Sequence, residues 1–216
     1  MLRNLFTPGY LKSLVYVAAA MLIAISAHEF AHGLVSYKLG DPTPKRDGRL
    51  TLNPFKHLDL WGTICLIFFK VGWAKPVRIN TAYYKNKKWG IIMVSLAGPI
   101  INYIMAFFSL IVCYLLVEKR MVIGIWFYYV AVLNIGLGTF NLIPIPPLDG
   151  SNVLMEICPT VATFYRRIGK YARIILAVCL FAGILSKPLN FISDAILEGM
   201  WELICRMFWQ EKAFVL

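Results

Sequence analysis

The chain has 216 residues, of which 59% are hydrophobic and 15% charged, and its 22 Lys and Arg outnumber its 11 Asp and Glu to give a formal charge of +11. Ordinary soluble domains are about half apolar or less, so this composition excludes one and implies a lipid bilayer as solvent. The positive charge does not imply a nucleic-acid partner, because the basic residues lie between apolar segments with no soluble domain to present them.

The first apolar segment covers about residues 11–39. A few basic residues precede Ala18, Ala19 and Ala20, which is the pattern of a secretory leader. The apolar pattern continues well past that point, and a membrane span is the better expectation. Within it lies "HEFAH", residues 28–32. Histidines four apart on a helix lie one above the other, so His28 and His32 can aim two imidazole nitrogens at one point. Zinc is bound this way in HExxH sequences, where a glutamate such as Glu29 reaches water as a general base without being a ligand. Ionisable groups in a membrane span are costly, which favours a functional site over a chance occurrence.

Residues 40–88 are irregular. "GRLTLNP" at 48–54 and "GWAKPVRIN" at 72–80 resemble short strands bounded by Gly, Pro and Asn. Between them "LWGTICLIFF" at 60–69 is an apolar run too short to cross as a helix. A re-entrant or interfacial β-hairpin is therefore expected, its backbone groups paired internally because lipid offers no partners.

Uncharged runs at 89–117 and 121–148 exceed the roughly 20 residues a spanning helix needs. "AGPIIN" at 97–102 lies in the first run; Gly98 permits close helix packing, Pro99 kinks the helix, and Asn102 can hydrogen-bond across the interface. The second run ends in "NLIPIPPLDG" at 141–150, where Pro144, Pro146 and Pro147 must break the helix. Broken helix inside a membrane is tolerated where it is buried in protein or lines a polar cavity, so Asp149 is well placed to meet a metal held by another helix. A helix-capping role is its alternative. A catalytic zinc needs a third protein ligand. Besides Asp149, the candidates are His57, Asp41, Asp47 and Asp59 in the charged loop.

A shorter apolar segment spans about 174–186, and a last one about 189–209 carries Asp194, Glu198, Glu202 and Arg206 at four-residue intervals. That polar stripe suits an interfacial helix or one facing a bundle interior. The total expected is about four to six membrane helices. The five cysteines, at 65, 113, 158, 179 and 205, read as small apolar side chains. Eleven basic residues between the first two spans, against Arg3 and Lys12 before them, predict a cytoplasmic loop and an outside N-terminus. The halves of the spans bearing HEFAH and Asp149 then approach one cytoplasmic face.

These motifs resemble the site-2 proteases, zinc intramembrane metalloproteases, in a compact prokaryotic form without an inserted PDZ domain. The resemblance rests on "HEFAH", "AGPIIN" and "NLIPIPPLDG", with "GRLTLNP" and "GWAKPV" between the core helices, and covers most of residues 10–158. It implies one zinc on His28, His32 and Asp149, with Glu29 as catalytic base and Asn141 orienting substrate or stabilising the oxyanion. The implied protein is an all-α, multi-pass cell-membrane enzyme with a small β-hairpin element. It forms a single domain over 1–216, with a catalytic core at about 10–158 and C-terminal helices at about 160–210. It cuts a peptide bond in or near a transmembrane segment of a membrane protein at the cytoplasmic side. A homo-oligomer is compatible with the sequence. A metal transporter or channel, and a pseudoenzyme that binds membrane segments without cutting them, are the rival classes.

Overall fold

The computed structural model describes residues 8–57, 59 and 75–214. Helix α1 (Pro8–Lys38) is followed by the single turn α2 (Thr43–Arg46). Next come α3 (Lys87–Glu118), α4 (Ile123–Asn141), the short α5 (Asp149–Ile157), α6 (Pro159–Phe181) and α7 (Ser186–Phe214).

Helices α1, α3 and α4 pack on one another and position the site. On α1 the buried face is a stripe of alanines at 20, 24, 27 and 31, which lets neighbouring backbones come close. Gly40, at φ +104°, ends α1 in a Schellman turn, with Asp41 N–H donating to the Ser36 carbonyl and Gly40 N–H to that of Tyr37. Asn86 caps α3 by accepting from Trp89 N–H at 3.2 Å. The apolar core joins Ala106 and Leu110 of α3, Ala131 and Ile135 of α4 and Ile204 of α7. Tyr114 stacks on Phe208 with ring centroids 5.0 Å apart.

Among the described residues, three helices are long and apolar enough to cross a membrane: Val15–Lys38, Lys87–Glu118 and Ile123–Asn141. The count rises to four if Tyr171–Phe181 and Ser186–Phe208, bent by 77° at their break, form one span. The expected range of four to six is thus corrected to three or four. Gly183, at φ +69°, lies at the break between α6 and α7, and neither of these two C-terminal helices is long and apolar enough to cross by itself. The third span is also shorter than the uncharged run: α4 stops at Asn141, ahead of the three prolines.

The expected β-hairpin is corrected too, since the described residues contain no strand. Around Pro54, the Asn53 side chain accepts from Phe55 N–H and closes a 3-10 turn; Asn80 does the same for Ala82 N–H. The N–H groups of Val77 and Asn80, which a partner strand would have used, donate instead to Glu29 and Asp41. The apolar run at 60–69 lies outside the described residues.

Candidate metal centre

His28 and His32 stand one turn apart on the buried face of α1, and Asp149 is the first residue of α5. Their Nε2 atoms are 3.0 Å apart, and each lies 3.2 Å from Asp149 Oδ2. The far side of each ring is fixed. His28 Nδ1 is 2.6 Å from Asn102 Oδ1, and His32 Nδ1 is 2.7 Å from the Val94 carbonyl oxygen. Carbonyl oxygens only accept, so both rings carry their proton at Nδ1, which in neutral imidazole leaves a bare lone pair at Nε2. The Asn102 amide nitrogen is committed to the Ala24 carbonyl at 3.2 Å and Asn134 Oδ1 at 2.8 Å, which turns its oxygen toward His28.

Three electron-rich atoms therefore converge, and buried Asp149 Oδ2 receives no hydrogen bond. With neutral imidazoles its short distances to the histidines are not hydrogen bonds, because the ring protons are on the other nitrogens. A proton shared by two of the atoms would leave the third unmatched, whereas one cation satisfies all three. Two imidazole nitrogens and one carboxylate oxygen form a suitable zinc set, with the outer hydrogen bonds orienting the rings. Among the described residues, no other group of His, Cys, Asp and Glu side chains converges in this way.

Glycines make room for the arrangement. A Cβ on Gly98 would sit 2.4 Å from His32 Nε2 and 2.7 Å from His28 Nδ1, so α3 passes the imidazoles only without a side chain there. A Cβ on Gly150 would sit 2.2 Å from the Leu142 carbonyl oxygen, so the proline-rich turn folds tightly over the start of α5. Leu148, not Asp149, occupies the cap position of α5, and the alternative of a capping aspartate is not what the helix uses.

Glu29, half-buried beside His28, accepts a hydrogen bond from Val77 N–H at 2.9 Å. Asn141 donates one amide hydrogen to the Leu137 carbonyl at 3.1 Å on its own helix. Three of the other candidate ligands, His57, Asp47 and Asp41, are engaged away from the centre. His57 Nε2 meets the Thr51 carbonyl at 2.8 Å, and Asp47 pairs with Arg78 at 2.8 Å. Asp41 is fully buried and accepts from the Ser36 hydroxyl, Thr43 N–H and Asn80 N–H at 2.8, 2.9 and 2.7 Å. Burial alone would raise the Asp41 carboxyl, but these donors hold it below its ordinary value.

Apolar helices that carry a buried His-His-Asp centre, with an HExxH glutamate beside it, define a membrane metallopeptidase. A profile of peptidase family M50 matches residues 119–183. "Putative zinc metalloprotease YwhC" of Bacillus subtilis is 37% identical over 169 residues, covering 73% of this chain and 74% of that protein. "Putative zinc metalloprotease Rip2" of Mycobacterium tuberculosis is 30% identical over 149 residues, 66% of this chain and 57% of that protein. Its Mycolicibacterium smegmatis counterpart is 31% identical over 156 residues, 68% and 58% of the two chains. No solved structure matches. The chain belongs to peptidase family M50, the site-2 proteases, and is a zinc metalloprotease of the membrane.

Sequence reasoning gave Asn102 a hydrogen bond across the helix interface, which it makes, but missed its contact with His28. It also missed Asn134, fully buried in the middle of an uncharged run, where a lone polar residue was itself the signal. Val94 and Val77 act through backbone atoms and carry no signal in their residue type.

Proposed function

We propose that His28, His32 and Asp149 hold the zinc and that Glu29 is the general base for hydrolysis of a peptide bond in or near a transmembrane segment of a membrane protein. The observation that carries this reading is the convergence of two bare Nε2 lone pairs and an unbonded carboxylate oxygen in a buried, apolar setting. Bound there, zinc supplies Lewis acidity, which acidifies water and polarises a carbonyl. Glu29 takes a proton from the attacking water and returns it to the leaving amine, so one water is divided between a new carboxylate and a new amino terminus. Asn141 is assigned to the substrate: its amide has a second hydrogen beyond the one given to Leu137, and donation to a developing oxyanion is the part that suits it.

An apolar cavity of about 700 Å³ supports access for an apolar substrate segment. It is bounded by Tyr103, Thr139, Leu142 and Pro144 on one side and Ile192 and Met200 of α7 on the other, beside the turn that leads to Asp149. Cleavage at the cytoplasmic side is supported by the basic residues that flank the HEFAH end of the first span. The whole of 1–216 is assigned to one protease domain, supported by the packing of α7 into the same core as α3 and α4.

The test is cleavage of a pool of fluorophore-labelled single-span transmembrane peptides by zinc-loaded protein in vesicles. Loss of the general base in Glu29→Gln is expected to lower turnover by about 10²–10⁴-fold. Turnover equal to wild type would remove Glu29 from the chemistry and favour a different reaction at this centre.

A further inference from the structure

Residues 75–84 form a strap along the end of α1, irregular over 75–80 and closed by the 3-10 turn Thr81–Tyr83, and are held at five points. Lys75 N–H donates to the His57 carbonyl at 2.8 Å, Val77 N–H to Glu29, the Arg78 guanidinium to Asp47, and Asn80 N–H to Asp41; the Tyr84 hydroxyl meets that of Ser36 at 2.7 Å. Four of these ties end on groups with no part in the proposed chemistry. The fifth ends on Glu29 Oε2.

That contact is built from both sides. Val77 is buried, and its Cγ1 lies 3.4 Å from where a Cβ on Gly33 would stand, one turn of α1 beyond Glu29. The side chain of Val77 thus packs on the helix that carries the base while its amide points at the carboxylate. Pro76 fixes its own φ and favours extended backbone at Lys75, so the approach of the strap is set before the hydrogen bond forms. Deeper along the strap, Asp41 gathers Asn80 N–H, Thr43 N–H and the Ser36 hydroxyl, which locks the far end to the terminus of α1.

We infer that the Val77 main-chain amide is a positioning group for catalysis: it fixes Oε2 of Glu29 and leaves Oε1 free to take the proton from water. This rests on the proteolytic reading above. A glutamate carboxylate at the end of three rotatable bonds is otherwise free to swing, and a misplacement of about 1 Å at a reacting group can cost about 10²-fold in rate. The amide supplies the fixed direction at no cost in added charge.

Val77→Pro removes the N–H; Val77→Ala returns it without the larger side chain. Both are compared with wild type as zinc-loaded protein in vesicles with the labelled peptide pool, and zinc content is measured on each. Val77→Pro is expected to keep one zinc per chain and to lose about 10²-fold in kcat, with KM changed less than about threefold. Val77→Ala is expected to recover most of that loss. Amide exchange of the stretch 75–80, which needs no turnover, is expected to be faster in Glu29→Ala than in wild type. Wild-type or raised kcat in Val77→Pro would overturn the positioning role while leaving the protease reading intact, a rise marking the strap as a brake instead. Loss of zinc in Val77→Pro would also overturn it, since the strap would then hold the metal centre together. Exchange unchanged by Glu29→Ala would show that the bond does not hold in the membrane, and overturn it. Zinc-loaded wild type that cuts no peptide would sink the proteolytic reading, and this inference with it.

Discussion

Two buried polar clusters lie on and just after α1, one at His28 and His32 and one where Ser36 meets Asp41, and they differ in how their atoms are matched. At the end of α1, Asp41 has a donor for each of its contacts: Ser36, Thr43 and Asn80 all give hydrogens to it, and Tyr84 closes the group through Ser36. At His28 and His32 the outer atoms are equally well matched, by Asn102 and Val94, but the inner three have acceptors facing acceptors. Burial is the same in kind in both clusters. A complete inventory marks the first as a structural clamp, and a deficit of positive charge marks the second as a place for a cation. Counting donors against acceptors separates the two where residue type does not, since each cluster contains an aspartate that the sequence offered as a metal ligand.

The comparison can be broken by variants that act on one cluster and not the other. Asn102→Ala removes the acceptor that holds the His28 tautomer. Loss of such an outer partner is expected to weaken zinc affinity by about 10–100-fold, read by competition with a chelator. Affinity unchanged by that substitution would show that the ring needs no outside support. Asp41→Asn should do the reverse. A carboxamide has one acceptor oxygen and presents hydrogens to a pocket that already supplies them, so a loss of about 1–3 kcal/mol in stability is expected with zinc affinity intact. The melting temperature in detergent measures it.

Acidity gives a smaller and reversible version of the same test. The Asp41 carboxyl is held below its ordinary value in the folded protein, so its contribution is present above the unfolded value of about 3.9 and is lost as pH falls through the lowered folded value. The melting temperature of the wild type is therefore expected to fall below about pH 4. Asp41→Asn should lack that part of the decline, and an identical decline in both proteins would remove Asp41 as its source.

How much of this was legible in the sequence follows from the range of each signal. His28, Glu29 and His32 were readable because a helix converts a spacing of four into one face, and the helix formed. Asp149 was readable more indirectly, through prolines that could not continue a span. Asn141 was named only through the family resemblance, and its amide faces its own helix at Leu137. The hairpin was misread because Gly, Pro and Asn bound strands and 3-10 turns alike. The local sequence gave no hint that carboxylates on and just after α1 would take the N–H groups of Val77 and Asn80. The span count failed for a different reason: the two C-terminal segments were read apart, but neither helix alone is long and apolar enough to cross.

The most direct measurement of the central claim is zinc per chain in purified wild type, His28→Ala, Asp149→Ala and Glu29→Gln proteins. About one zinc is expected in wild type and in Glu29→Gln, whose carboxyl is a base and not a ligand, with loss in the other two. A full complement of zinc in Asp149→Ala would contradict the account, because the converging lone pairs at His28, His32 and Asp149 would then not be where the metal is held.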